Sequence, residues 1–124
     1  MIYLDTHAVV WLYAGDTDRF TERGLALLES EDVVISPIVQ LELQYLREIG
    51  RLNVEPALML ESLGATIGLR FCDQPFIRVI TESISQTWTR DPFDRVIVAQ
   101  VLSSGAPLLT KDTTILTHCP QACW

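Results

Sequence analysis

The sequence has few basic residues, with nine Lys and Arg against 16 Asp and Glu and a formal net charge of −7. A protein that holds nucleic acid on a broad basic surface has the opposite balance, so that class of binder is excluded. Any chemistry on nucleic acid would have to be local and assisted by a metal ion. An acidic chain also favours a basic protein partner, because opposite charges speed association.

Long apolar runs and paired cysteines are also missing. No uncharged stretch is long and apolar enough to span a bilayer, and no basic segment followed by an apolar one marks a signal peptide. Cys72, Cys119 and Cys123 are an odd, scattered set that suits free thiols in a reducing cytosol. His118 with the last two cysteines has no zinc-like spacing, which favours a frayed C-terminus over a metal site. We therefore expect a cytoplasmic protein without a disulfide framework or a membrane association.

What the sequence does contain indicates one globular domain over residues 1–124, with 48% apolar residues. Short apolar runs predict buried strands and longer periodic segments predict helices between them. The predicted strands cover 1–4, 33–35, 69–71 and 107–110, with a short fifth at 115–116. The predicted helices cover 7–14, 20–29, 37–49, 55–63, 76–87 and a segment from Asp91-Pro92 to near Gly105. This alternation predicts a three-layer α/β/α sandwich around a mostly parallel sheet of four or five strands.

Acidic residues recur where strands end and helices begin. Asp5 directly follows the first strand, Asp112 follows strand 107–110, and Asp94 lies in the first turn of the helix before that strand. Glu42, near the start of helix 37–49, can reach the same edge of the sheet, and Asp91 lies three residues before Asp94. Strand ends and helix starts share one edge in right-handed βαβ units, so we expect these side chains to gather there.

Gathered carboxylates repel, by about 4 kcal/mol for two of them roughly 4 Å apart at an effective dielectric constant of about 20. A cation would relieve this repulsion, and oxygen ligands of this kind suit Mg²⁺ or Mn²⁺. A metal so held can activate water and stabilise the leaving oxygen of a phosphodiester. The alternative treats each acid singly, as a helix cap, a turn residue or a solvated charge.

Several short motifs follow one another along the chain: Tyr3-Leu4-Asp5-Thr6-His7, Ser36-Pro37, Leu41-Glu42-Leu43, the segment from Arg90 to Gln100, which reads RDPFDRVIVAQ, and Leu109-Thr110-Lys111-Asp112. In this order they resemble the PIN domain family, in particular the VapC-type toxins of bacterial toxin–antitoxin modules. The segment 90–100 is the most specific of them, and residues 115–124 match least well.

The resemblance implies a Mg²⁺- or Mn²⁺-dependent ribonuclease with Asp5, Glu42, Asp94 and Asp112 as its catalytic, metal-binding acids. Asp91 is an extra acid that could be a ligand or a helix cap. Thr6 and Thr110 match hydroxyl positions beside the first and fourth acids, and are expected to contact substrate. Arg90, Arg95 and Lys111 are the basic residues nearest the acids, and would contact phosphates unless they are spent on surface salt bridges.

The resemblance also implies an antitoxin partner and a homodimer. Helix 7–14 is apolar almost throughout, and helix 37–49 adds Leu43 and Leu46 outside its expected buried stripe of Ile38, Leu41, Tyr45 and Ile49. An apolar surplus of this kind indicates a groove for an amphipathic partner segment, with Trp11 and Tyr45 as contacts.

Two other functions compete with the ribonuclease. A haloacid-dehalogenase-like phosphatase would carry a second Asp two residues after Asp5, but His7 stands there, which removes that reaction's general acid. A non-catalytic acidic module that only binds a protein partner is compatible with all of the acids.

Overall fold

The computed structural model describes residues 1–124 as five parallel strands and seven helices. The strands are β1 (Ile2–Leu4), β2 (Val33–Ile35), β3 (Arg70–Phe71), β4 (Leu108–Leu109) and β5 (Ala122–Cys123). The helices are α1 (Thr6–Tyr13), α2 (Glu22–Ser30), α3 (Ile38–Glu48), α4 (Pro56–Ile67), α5 (Phe76–Ile84), α6 (Pro92–Ser104) and α7 (Thr113–His118). A single 3₁₀ turn, Thr17–Arg19, links α1 to α2. None of the helices has the length and hydrophobicity that crossing a membrane requires.

The sheet has the order β3-β2-β1-β4-β5, and every neighbouring pair is parallel. All residues of β1, β2 and β4 are buried, as expected for strands that helices cover on both faces. The predicted three-layer α/β/α fold is therefore confirmed. From β1 the chain moves outward through β2 to β3, then returns to β4 on the other side of β1. This reversal places a crevice at the carboxyl ends of β1 and β4, where open α/β sheets bind ligands.

The C-terminal segment differs from its prediction in two ways. Residues 115–116 are part of α7 and not a strand, and Ile115 points into the core. The fifth strand is Ala122–Cys123, so the C-terminus is paired with β4 and not frayed. Its carbonyl at Cys123 accepts a hydrogen bond from the Thr110 backbone N–H at 2.9 Å. The predicted free thiols are present, because none of the three cysteines forms a disulfide.

Helix α3 turns a different face to the core than predicted. Its buried residues are Val39, Leu43 and Leu46, whereas Leu41 and Tyr45 are 57% and 49% exposed. The helix is apolar on two faces, each with helical spacing, so periodicity alone could not decide which one faces the sheet. The exposed apolar surface therefore carries Leu41 and Tyr45, and the expectation that Leu43 and Leu46 add to it is wrong.

Helix α1 exposes less apolar surface than predicted. Val9 is buried, while Val10, Trp11 and Leu12 are half-buried against the core cluster. Only Tyr13 is exposed among the apolar residues 9–13. Most of the apolar side chains of this helix therefore pack against the core of the domain.

The two faces of α3 can be compared by a pair of leucine truncations. We expect Leu43→Ala to lower the free energy of unfolding by about 2–5 kcal/mol, because it leaves a cavity in the core. Leu41→Ala on the same helix should change it by no more than about 0.5 kcal/mol. Urea unfolding at low protein concentration measures both. Equal losses for the two variants would show that the assignment of the faces is wrong.

Candidate active site

Asp5 lies at the carboxyl end of β1 and is 6% exposed. One carboxylate oxygen accepts a hydrogen bond from the Ala8 N–H at 2.9 Å, which caps α1. The other accepts a hydrogen bond from the Thr110 hydroxyl, at the end of the neighbouring strand. Asp5 is therefore both the N-cap of α1 and the carboxylate at the end of β1. Hydrogen bonds from α1 and from the residue after β4 fix its orientation.

Glu42 reaches the same edge from α3 and is half-buried. Its carboxylate accepts a hydrogen bond from the hydroxyl of Thr6, the first residue of α1. Thr6 and Thr110 are both buried, so each hydroxyl is committed to a carboxylate. The structure thus places the two threonines as supports of acids, on the inner side of the site.

Asp91 and Asp112 are helix caps. Asp91 accepts from the backbone N–H groups of Phe93 and Asp94 at 2.9 and 3.3 Å, at the start of α6. Asp112 accepts from Thr114 and Ile115 at 2.9 and 3.0 Å, at the start of α7. The open question about Asp91 is answered in part, because its carboxylate caps a helix while it also adds charge to the cluster.

Asp94 is the carboxylate with the least support. Burial, followed by the charges of Asp91, Glu42, Asp112 and Asp5 in that order of importance, raises its pKa from 3.8 to about 7. All five of these causes act in the same direction. The Asp94 carboxylate therefore lies among acids that disfavour its charged form.

Burial also raises the pKa values of Asp5 and Glu42. Hydrogen bonds from Thr110 and Ala8 partly offset this for Asp5, and the hydrogen bond from Thr6 does so for Glu42. The neighbouring His7 lowers both pKa values, whereas Asp112 raises that of Asp5 and Asp91 raises that of Glu42. The acids predicted from the sequence to meet at this edge thus influence one another electrostatically.

No salt bridge neutralises this cluster, since the three salt bridges of the protein lie elsewhere, at Met1–Glu31, Asp16–Arg19 and Asp32–Arg70. As the side chains stand, no three of them enclose a metal ion. The donors nevertheless fit Mg²⁺ or Mn²⁺, because they are carboxylate oxygens, several in number and without a cation. Side-chain rotations would have to bring three of them into ligand distance.

The predicted basic residues have different surroundings. Arg90 donates to the Thr87 carbonyl at 2.9 Å, and Arg95 donates to the Thr89 carbonyl at 2.8 Å. Both bonds tie the arginines to the loop that precedes α6, and neither residue forms a salt bridge. Lys111 is exposed and lines a groove with Asp5 and Asp112.

That groove also contains a residue that sequence reasoning had not assigned to the site. His7 lines it together with Trp11, and both side chains come from α1. The position of His7, two residues after Asp5 in the first helical turn, was the signal that could have identified it. Trp11 packs edge-on against Phe20 and Trp124, with ring centroids 6.4 and 5.6 Å away.

Tyr45, the other predicted partner contact, lies on the exposed face of α3. Its ring centroid is 5.8 Å from that of Phe93, the residue that precedes Asp94. An apolar surface therefore adjoins the acids on the side of α3 and α6. Trp11 borders them on the side of α1.

Comparison with known proteins gives relatives along the whole chain. The chain is 25% identical over 122 residues to "Ribonuclease VapC22" of Mycobacterium tuberculosis, covering 94% of this chain and 91% of that protein. A toxin–antitoxin complex from Klebsiella pneumoniae contains a similar chain, with a TM-score of 0.67, 15% identity and coverage of 100% and 97%. The crystal structure of VapBC2 from Rickettsia felis, bound to a DNA fragment from their promoter, also contains a similar chain. Its TM-score is 0.66 at 21% identity, and the match covers 98% of this chain and 96% of that one.

These two structures share the fold of this chain. The sequence comparison adds the family, because the PIN domain profile matches residues 2–118. This range contains all five acids and every residue that supports them. The chain belongs to the PIN domain family.

Proposed function

We propose that this protein is a metal-dependent endoribonuclease and the toxin of a toxin–antitoxin pair. The observation that carries the proposal is Asp94, a carboxylate whose pKa four other carboxylates raise and which takes part in none of the protein's salt bridges. Such a charge is unfavourable unless a proton or a positive ion joins it. The relatives support the reaction, since one is named a ribonuclease and another is part of a toxin–antitoxin complex.

Asp5 and Asp94 are proposed as direct ligands of Mg²⁺ or Mn²⁺, and Glu42 and Asp112 as residues that position water or a second ion. The bound ion would supply an activated water and stabilise the leaving oxygen of an RNA phosphodiester. The protein itself would orient the carboxylates that bind the ion. The Thr110 hydroxyl and the Ala8 N–H hold Asp5, and Thr6 holds Glu42, so neither carboxylate has to be ordered when substrate binds.

Substrate is proposed to be single-stranded or loop RNA with weak non-specific affinity. With a net charge of −7, few phosphates can be neutralised and little counterion release can drive binding. Arg90, Arg95 and Lys111 are proposed as the local phosphate contacts. Recognition would then depend on the shape and strandedness of the RNA.

The antitoxin and a second copy of the chain are proposed as protein partners. Helices α3 and α5 expose large apolar side chains, as surfaces that bind a partner do: Leu41, Tyr45, Phe76, Ile77 and Ile84. A groove of about 290 Å³ runs between α3, α5 and α6 beside these residues. A basic amphipathic antitoxin segment fits an acidic chain with an apolar groove. Trp11 remains a predicted second contact. A partner segment that binds over Trp11 would also cover the neighbouring acids.

We expect the purified protein to cleave RNA in the presence of Mg²⁺ or Mn²⁺, and we expect cleavage to stop when the ion is chelated. Asp94→Asn should lower the rate by at least about 100-fold, since it removes a proposed ligand. The matched control is Glu61→Gln, which removes a carboxylate from the exposed face of α4. Cleavage that persists in excess chelator, or in Asp94→Asn, would contradict the proposal. Hydrolysis of phosphomonoesters without RNA cleavage would indicate a phosphatase.

Coexpression with the product of the adjacent reading frame tests the partner. We expect a complex in which RNA cleavage is suppressed, and a dimer of the toxin by sedimentation. Tyr45→Ala should weaken the complex by about 10-fold or more, as an exposed aromatic anchor does. Leu58→Ala is the control, because Leu58 is also a large exposed apolar residue, 57% exposed against 49% for Tyr45, but lies on α4. A complex that leaves RNA cleavage unchanged would contradict only the proposed inhibition. A monomer that binds no partner would contradict both the antitoxin complex and the homodimer.

A further inference from the structure

A groove of about 360 Å³ borders the acid cluster on the side of α1. It is lined by Asp5, His7, Trp11, Lys111 and Asp112. Two of its five lining residues belong to the proposed catalytic acids, so an RNA strand whose phosphate lies at those acids would pass beside the remaining three. Its volume is within the range that holds small organic groups.

Two aromatic rings form one side of this groove. His7 and Trp11 lie one helical turn apart on α1, with ring centroids 6.0 Å from each other. His7 is exposed, and its imidazole forms neither a hydrogen bond nor a salt bridge. Its ring therefore has a surface available to a ligand.

Trp11 is held in place by its own neighbours. The Arg19 guanidinium lies 5.1 Å from the indole centre, and Arg19 is itself bonded to Asp16 at 2.6 Å. Phe20 and Trp124 pack against the indole edges. A ring fixed in this way loses little conformational entropy when a flat ligand stacks against it.

The remaining groove residue is a cation. Lys111 is the only lysine of the chain, and it forms no salt bridge although two carboxylates share the groove with it. An ammonium group without a partner can bind a phosphate as a point charge. The groove thus combines aromatic rings with one positive charge, next to the acids.

We propose that this groove is a nucleobase subsite: a base of the nucleotide next to the scissile phosphate stacks on the exposed His7 ring and packs against the Trp11 indole, whose plane is tilted by 47° from that ring, and Lys111 contacts a neighbouring phosphate. The assignment rests on the proposed ribonuclease function. Base stacking suits an acidic protein, because the affinity it gives does not depend on neutralising many phosphates. It also tolerates any base, since every base has an aromatic face.

A protein segment is the competing occupant of the groove. The observations favour RNA because Lys111 and the exposed His7 are polar, and because the groove opens beside the acids. The large exposed apolar residues of α3 and α5 do not line it. A partner that requires apolar contacts therefore has a better surface on that other side.

The test measures RNA binding without cleavage, in an Asp94→Asn background with chelator. The probes are a fluorescein-labelled single-stranded octaadenylate and an octamer with the same backbone whose residues all lack bases. We expect His7→Ala and Trp11→Leu each to raise the Kd for octaadenylate by about 5- to 100-fold, and to leave the Kd for the abasic octamer unchanged. His118→Ala is the matched control, because it removes the chain's other exposed histidine, which stacks on Trp88 outside the groove.

Unchanged octaadenylate binding in both variants would overturn the subsite, as would equal losses for the two octamers. Normal RNA binding with loss of a co-purifying protein would assign the groove to that partner instead. If Trp11→Leu proves unfolded by circular dichroism, His7→Ala still decides, because its side chain makes no hydrogen bond. Base-dependent binding by a wild-type protein that never cleaves RNA would sink the ribonuclease proposal while the subsite stands.

Discussion

Burial and mutual repulsion of carboxylates at one end of a parallel sheet determine the electrostatics of this site. Burial and four neighbouring charges all disfavour the charged form of Asp94. The other four acids are each stabilised by local hydrogen bonds. Asp5 and Glu42 each accept a hydroxyl hydrogen bond, while Asp91 and Asp112 bind backbone N–H groups at helix starts, where negative charge is favourable.

The fold gathers these acids through contacts between segments that are distant in sequence. Thr110 holds Asp5 from the neighbouring strand, and the Thr110 N–H is itself held by the carbonyl of Cys123 in β5. The last strand of the chain therefore supports the first acid. Trp124 continues this arrangement, because it packs against Trp11 of α1 beside the groove. The active-site side of the molecule is closed by residues from its two ends.

Much of this arrangement could be predicted from local sequence. Buried strands followed by acids, and Asp-Pro at a helix start, are short-range signals that gave the sheet, its edge and the five acids. Local signals could not predict which face of α3 is buried, nor where the fifth strand lies. Leu41 and Leu43 are equally apolar, and only packing against the sheet chooses between them. Ala122 and Cys123 carry no strong strand preference, so pairing with β4 decides their conformation. The groove beside His7 and Trp11 is completed by Lys111 and Asp112, which are 100 or more positions away in the sequence, so no local pattern could reveal it.

The most direct test of the account is the pH dependence of the free energy of unfolding of the metal-free protein, compared with that of Asp94→Asn. The Asp94 pKa is about 7 in the folded state and 3.8 as an ordinary group, so the folded protein binds the extra proton between these values. Stability contributed by the protonated form is then lost as the pH rises from about 4 to above 7. We predict that the free energy of unfolding of the wild type, measured in urea, decreases from pH 5 to pH 8, and that Asp94→Asn loses less over the same interval. We also expect Mg²⁺ to restore the stability of the wild type at pH 8 more than that of the variant. Equal pH dependence in the two proteins, with no difference in their response to Mg²⁺, would contradict the role proposed for Asp94.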